Sequence, residues 1–483
     1  MGSQLENMGS VRNAVRLIAI VVVVRKFPLD MRHPRINDGY SPEPDARAHS
    51  NRFTLKFTEP ATIELSIAWR RVIQALLVLA CAIVVTATAY RSISQYHVAT
   101  NGKVDRANQG LFDFHNGIYY PAVGLTAGYD PYGPQFAAEF PVTRQIPPYS
   151  PLVLVLHWPL GWMPLRWAEI TYYLITLGFL VAIGIMAVNG LPNVKERTTW
   201  MLLAVLAVLA SRSGHTTLFT AYFTGELVVG SLLALRFAES RPVMSGLGIA
   251  LASIKPNFGI PLILLMGARG NWRAVLLGVA FSGIGALLGV AVLLQHVDLA
   301  TLISDVKSSD TAHVTDDYEL PVNTWTRVDV LAVVAKWTRT NPGAPVALAV
   351  MMLLLIVPCV ALARLRKLGD KSGDQSYSGV LILAVGTAAL YHHAYDAMLL
   401  IPSAFSLVLD SRWRNWFSVP VCFGLAAGLL FVPWNYFSSE VVLNRLKLPN
   451  MVEQLVMSSS GLVLLGCCLI LTIHALKNPV LRQ

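Results

Sequence analysis

Asp113 lies between Phe112 and Phe114, in a polar stretch that follows an apolar run, which makes it a candidate general base. Aromatic neighbours keep water from a carboxylate and raise its pKa toward the range where it can take a proton near neutral pH. The bland alternative is an N-cap, since a short helix over 114–123 would start just after it. The same stretch carries Tyr119, Tyr120, Asp130, Tyr132, Glu139, Arg144 and Tyr149, read here as groups lining a substrate, with Arg144 the candidate for an anion.

Three further clusters carry chemistry-capable side chains. Tyr391-His392-His393-Ala394-Tyr395-Asp396 joins two apolar runs, and ionisable groups at membrane depth need partners or a function. Adjacent histidines on a helix point about 100° apart, so one metal ion shared between them is a poor reading. Lys255-Pro256 falls midway along another apolar run. A lysine there costs about 2.5–3.5 kcal/mol to insert, and the proline breaks the helix ladder and frees a carbonyl. A buried cation beside a broken helix suits a phosphate; the alternative is an ion pair with Glu226. Asp310, Asp316, Asp317 and Glu319 make an acidic group that reads as a solvated loop ahead of a divalent-cation site, so no metal or other cofactor is expected.

These residues need elements to position them, and composition says which kind. Only 14% of the 483 residues are charged, against roughly 25% in a typical soluble domain, and apolar runs of about 20 residues recur. The chain reads as an all-α polytopic membrane protein with twelve spans: 72–90, 150–164, 167–188, 199–213, 216–236, 243–268, 271–294, 345–363, 378–391, 395–409, 414–434 and 458–476. Residues 1–71 read as a largely disordered cytoplasmic segment, with Met31 an alternative start. Residues 72–476 form the membrane domain and 477–483 a cytoplasmic tail.

Basic residues favour cytoplasmic loops. Arg70-Arg71, Arg269 with Arg273, Arg364-Leu365-Arg366-Lys367 and Arg412 with Arg414 then share the inner side, although Lys195/Arg197 and Arg236/Arg241 fall outside. The long loops 91–149 and 295–344 face outward. Within the second, 328–337 is apolar enough to lie along the interface, with Trp325 and Trp337 as anchors. The +10 charge is accordingly loop asymmetry, with no nucleic-acid partner expected. The five cysteines sit in apolar runs without metal-ligand or disulfide spacing. No glycine-rich phosphate loop is present, which argues against a nucleotide-driven machine.

Several motifs in order resemble a known pattern. Asp113-Phe114 is followed by Tyr119-Tyr120, Gly128-Tyr129-Asp130-Pro131-Tyr132, Pro147-Pro148-Tyr149, Lys255-Pro256 and His392-His393-Ala394-Tyr395-Asp396. Together, over roughly residues 70–435, they resemble the GT-C superfamily of polyprenyl-phosphate-sugar-dependent membrane glycosyltransferases. The branch they resemble is that of the α-1,2-mannosyltransferase of phosphatidylinositol mannosides.

The resemblance implies a GT-C-like bundle with a catalytic first extracytoplasmic loop in the inner (plasma) membrane. It implies Asp113 as catalytic base, His392 or His393 in the same cavity, and Asp396 and Glu226 among the lining groups. Gly225-Glu226-Leu227-Val228 departs from the family's Gly-Gln-x-Asn. The implied partners are a polyprenyl-phosphate sugar donor, mannose first among hexoses and pentoses, and a lipid or glycan acceptor. Lys255 and Arg144 are the cations expected at the donor phosphate. A secondary transporter or lipid flippase is the alternative. Transporters often show paired interrupted helices in repeats, whereas only Lys255-Pro256 interrupts a span here.

Overall fold

The computed structural model describes residues 67–96, 108–316 and 319–477. All lie in the second of two compact units, residues 64–483. The expected cytoplasmic segment up to residue 66, Asp317 and the end of the tail lie outside the described residues.

The described chain is helical, with isolated bridges and no β-strand among the described residues. In order, the helices are α1 (Ile67–Ser94), α2 (Leu165–Asn189), α3 (Arg197–Ala210), α4 (Arg212–Thr220), α5 (Thr224–Arg236), α6 (Pro242–Ala252) and α7 (Pro256–Arg269). They continue as α8 (Trp272–Leu293), α9 (Leu299–Val314), α10 (Val330–Thr338), α11 (Ala344–Lys367), α12 (Tyr377–Ala389), α13 (Ile401–Leu409), α14 (Val419–Trp434) and α15 (Asn450–Lys477). Short turns of helix fill the links.

Five helices, α1, α2, α8, α11 and α15, are long and apolar enough to cross a membrane, and the bent pair α3–α4 passes the same test only when taken together, as a broken span or a re-entrant loop. The remaining apolar stretches form shorter helices, such as Pro242–Ala252 and Tyr377–Ala389. Helix lengths thus return fewer full crossings than the twelve read from hydropathy. Among the short helices, α12 is buried along nearly its whole length, whereas α14, like the long α1, exposes many of its apolar side chains. A buried apolar helix such as α12 need not match the bilayer's thickness, so hydropathy alone does not set it apart from a crossing helix.

Two breaks have local causes. Ser211 is extended (φ −64°, ψ 153°), and its hydroxyl accepts from Gly214 N at 2.9 Å, starting α4 at 64° to α3. Lys255 is extended (φ −107°, ψ 111°) because a residue before proline avoids the helical region. The expected span 243–268 is therefore two helices, and the carbonyl freed at Ile254 accepts from Ser150 N at 2.9 Å. Where α5 and α6 cross, Gly230 and Gly248 face each other. A Cβ on Gly248 would stand 2.5 Å from the Gly230 carbonyl oxygen, so only small residues allow this approach.

Candidate active site

The Asp113 turn is fastened to the end of α1 and to α4. A Cβ at Gly110 would meet the Ser92 carbonyl oxygen at 2.1 Å, so glycine is required where the chain passes α1. Leu111 takes up a left-handed conformation (φ 60°) and donates its N–H to Phe219 O at 3.0 Å. The chain then makes one helical turn over Phe112–Phe114 and a π-turn over His115–Tyr119. Asp113 lies inside this turn and does not cap it; the residue at the cap position is Leu111. The N-cap alternative is thus replaced.

Phe114, fully buried, stacks on Tyr172 of α2 at 5.3 Å. Asn116 donates to Phe112 O at 2.8 Å and accepts from Thr143 N at 2.7 Å, tying the turn to the segment that carries Arg144.

Around Asp113 the fold gathers charges from distant parts of the sequence. Burial pushes its carboxyl up to about 6; the Thr220 hydroxyl and the charges of His393 and Lys255 pull down, and Glu319 pushes up. The Thr220 hydroxyl lies within reach of both this carboxylate and Thr216 O, at 3.1 Å from the latter.

Glu319 takes Arg144 at 3.0 Å, the Tyr391 hydroxyl, and His393 Nε2 at 3.4 Å. Burial acts upward on Glu319, but His393, Tyr391 and Arg144 outweigh it and hold the carboxyl far below the usual range. Arg144 also pairs with Asp316. The acidic group of the second long loop is therefore spent in part on this arginine, and Asp310 is exposed. Arg144 lies in the cluster with two carboxylates on its guanidinium, so an anionic ligand must compete with them for it.

Lys255 is 2% exposed and pairs with Asp396 Oδ2 at 3.1 Å. Its ammonium also lies over the rings of Tyr395, Tyr222, Phe258 and Tyr391 at 5.3, 5.7, 5.8 and 6.0 Å. The alternative pairing with Glu226 is replaced. Glu226 accepts from the Tyr172 hydroxyl at 2.6 Å and meets His157 Nε2 at 3.2 Å, forming a separate buried cluster. Asp396 further takes His392 Nδ1 at 3.1 Å and the His393 N–H at 3.0 Å.

The two histidines diverge. His392 packs edge-on against Phe258 and lines a small cavity of about 20 Å³ with Asn257 and Ser231. His393 turns toward Glu319, with Thr326 Oγ1 on its Nδ1 at 2.6 Å. Behind them Arg327 forms a two-point ion pair with Asp329 and lies over Tyr391 at 4.5 Å.

Asp113, Arg144, Tyr149, Lys255, His393 and Asp396 thus share one cluster, with His392 behind it. Tyr149 joins through its hydroxyl, 2.5 Å from that of Tyr222. Other expected lining groups have different work. Tyr132 is buried and donates to Tyr149 O at 2.8 Å, and Tyr119 donates to Met163 O at 3.1 Å. Tyr120 packs edge-on against Tyr119. Asp130 faces Asp305, and burial pushes its carboxyl up to about 6. Glu139 is exposed at the end of a short helix.

Sequence patterning does not point to Thr220 or Tyr222, gives Tyr391 and Tyr395 no role beyond their place in the histidine motif, and makes Glu319 look solvated. Tyr391 and Tyr395 frame the histidine motif, a signal open to sequence. Nothing local marks Thr220 or Tyr222.

The sequence matches the family model "Glycosyltransferase family 87" over residues 148–389, half of the chain. The matched segment holds Tyr149, Lys255 and Glu319; Asp113 precedes it and the histidine motif follows it. No curated protein and no solved structure matches the chain.

Proposed function

The chain belongs to glycosyltransferase family 87, and on that premise we propose that it moves a hexose or pentose, mannose first, from a polyprenyl-phosphate donor to a lipid or glycan acceptor. The reaction takes place on the extracytoplasmic side of the inner (plasma) membrane, in a GT-C-like bundle whose first outer loop carries the base.

One observation carries this reading. Among the described carboxylates of the cluster, Glu319 and Asp316 are held by Arg144 and Asp396 by Lys255, whereas Asp113 has a hydroxyl beside it and a carboxyl pushed up to about 6. A carboxylate near that value is charged at neutral pH and still basic enough to take a proton in a transition state. Asp113 removes the acceptor hydroxyl's proton as the acceptor oxygen attacks the anomeric carbon. The bond from that carbon to the phosphate oxygen breaks, and the phosphate leaves with the electron pair, inverting the centre. A phosphate needs no protonation to leave, so one base suffices where glycosidases need two carboxylates. His393, joined to Glu319 and in the field of Asp113, is the histidine we assign to the site. Lys255 and Arg144 are the cations for the donor phosphate, which must compete with Asp396 and Glu319 for them.

The test is transfer by the purified protein in lipid vesicles, with a panel of radiolabelled polyprenyl-phosphate sugars beside nucleotide sugars. Label moving to a lipid or glycan acceptor from a polyprenyl-phosphate donor alone supports the reading. Transfer from nucleotide sugars alone overturns it.

A further inference from the structure

A polar notch of about 250 Å³ opens between the end of α10 and the first turns of α15. Lys336 of α10 and Arg339 just beyond its end line it, with Asn450, Glu453 and Gln454 from α15. Lys336 is 4% exposed, and its ammonium donates to Met457 O at 3.3 Å. Among the described residues no carboxylate lies within 4 Å of it. A buried ammonium without an anion is costly, and a ligand that brings one removes the cost. Burial draws Lys336 down to about 8, Asp329 acts the other way, and Arg327 and Arg212 add to the fall. Protons thus remain on it at neutral pH.

The surroundings are built for lipid. α15 has 28 residues, about 42 Å at 1.5 Å per residue, against ~30 Å of hydrocarbon. Its polar first turns therefore fall at headgroup level. Met451, Val452 and Leu455 around the notch are exposed apolar side chains, and so is Trp337. Trp337 Nε1 donates to Ser458 Oγ at 3.1 Å, holding α10 against α15.

We propose that the notch binds the phosphate of an anionic phospholipid with a hydroxylated headgroup. Lys336 and Arg339 take the phosphodiester, and Glu453 and Asn450 take headgroup hydroxyls. The acyl chains lie over Met451 and Leu455. Two cations against one carboxylate leave a net positive site, and Glu453 favours a polyol over a second anion. The site does not depend on the reaction proposed above.

The experiment measures phosphatidylglycerol retained by the full chain through detergent purification, by mass spectrometry of extracted lipid. It also measures the rise in thermal unfolding midpoint when that lipid, phosphatidylcholine, glycerol phosphate or inorganic phosphate is added. Stoichiometric retention and a rise of a few °C are expected for phosphatidylglycerol alone. Lys336→Met and Arg339→Gln should both lose the retained lipid and the rise. Arg339 is exposed, so its replacement keeps the test valid even where Lys336→Met unfolds. Equal lipid effects in wild type and Arg339→Gln overturn the site. An equal effect of glycerol phosphate or inorganic phosphate overturns the lipid as its occupant.

Discussion

Replacing Asp113 with asparagine should make the protein more stable while silencing it. The carboxyl is pushed up to about 6 from its ordinary 3.8 because burial disfavours the charged form. A group whose folded pKa is raised supports the folded state fully below its unfolded pKa. That support is lost as pH rises through the folded value, here between about 4 and 6. A gap of roughly two pH units corresponds to roughly 3 kcal/mol, at ~1.4 kcal/mol per unit, carried as a cost by wild type above about pH 7.

Asparagine carries no charge, and its carboxamide oxygen can still accept from the Thr220 hydroxyl. Asp113→Asn should therefore unfold later than wild type at pH 7.5, and the two should converge near pH 4. Thermal unfolding in one detergent at both pH values measures this. A variant less stable than wild type at pH 7.5, or a gap that does not change with pH, would make Asp113 an ordinary anchoring carboxylate.

Other expectations follow from the same cluster. Asp316→Asn removes one of the two carboxylates on Arg144, and should lower the apparent donor KM several-fold; an unchanged or higher KM excludes Arg144 from the donor phosphate. Lys255→Met leaves Asp396 buried without its cation, at a cost of about 3–5 kcal/mol. Adding Asp396→Asn should recover part of that stability but not donor affinity, and recovery of both would reduce the pair to a structural role. His393→Ala should cut turnover by at least ~10²-fold, whereas His392→Ala should mainly lower stability. The reverse order in a turnover assay would assign the site to His392.

Much of this arrangement was legible in the sequence, for physical reasons that differ by element. Long apolar runs announce α1, α2 and α15, because a bilayer demands a continuous hydrophobic length. The break at Lys255 follows from proline's constraint on the residue before it. What periodicity does not carry is which charge meets which. Lys255 and Asp396 are 141 residues apart, and Glu226, far nearer in the chain, is taken by His157 and Tyr172. Glu319 looks solvated among acidic neighbours, yet Arg144 reaches it across a second loop. Hydropathy does not separate a helix buried against protein from a crossing one, since α12 is as hydrophobic as a crossing helix but only 13 residues long.

The central claim, that Asp113 is the base of a polyprenyl-phosphate-dependent transfer, is tested most directly by single-turnover sugar transfer. Asp113→Asn is compared with Asp130→Asn and Glu139→Gln at saturating donor. A loss of at least ~10²-fold is expected in Asp113→Asn alone, with donor binding intact. Wild-type turnover should rise with pH through about 6, as the Asp113 carboxyl loses its proton. Transfer by Asp113→Asn at the wild-type rate, with Asp130→Asn or Glu139→Gln inactive, would contradict it.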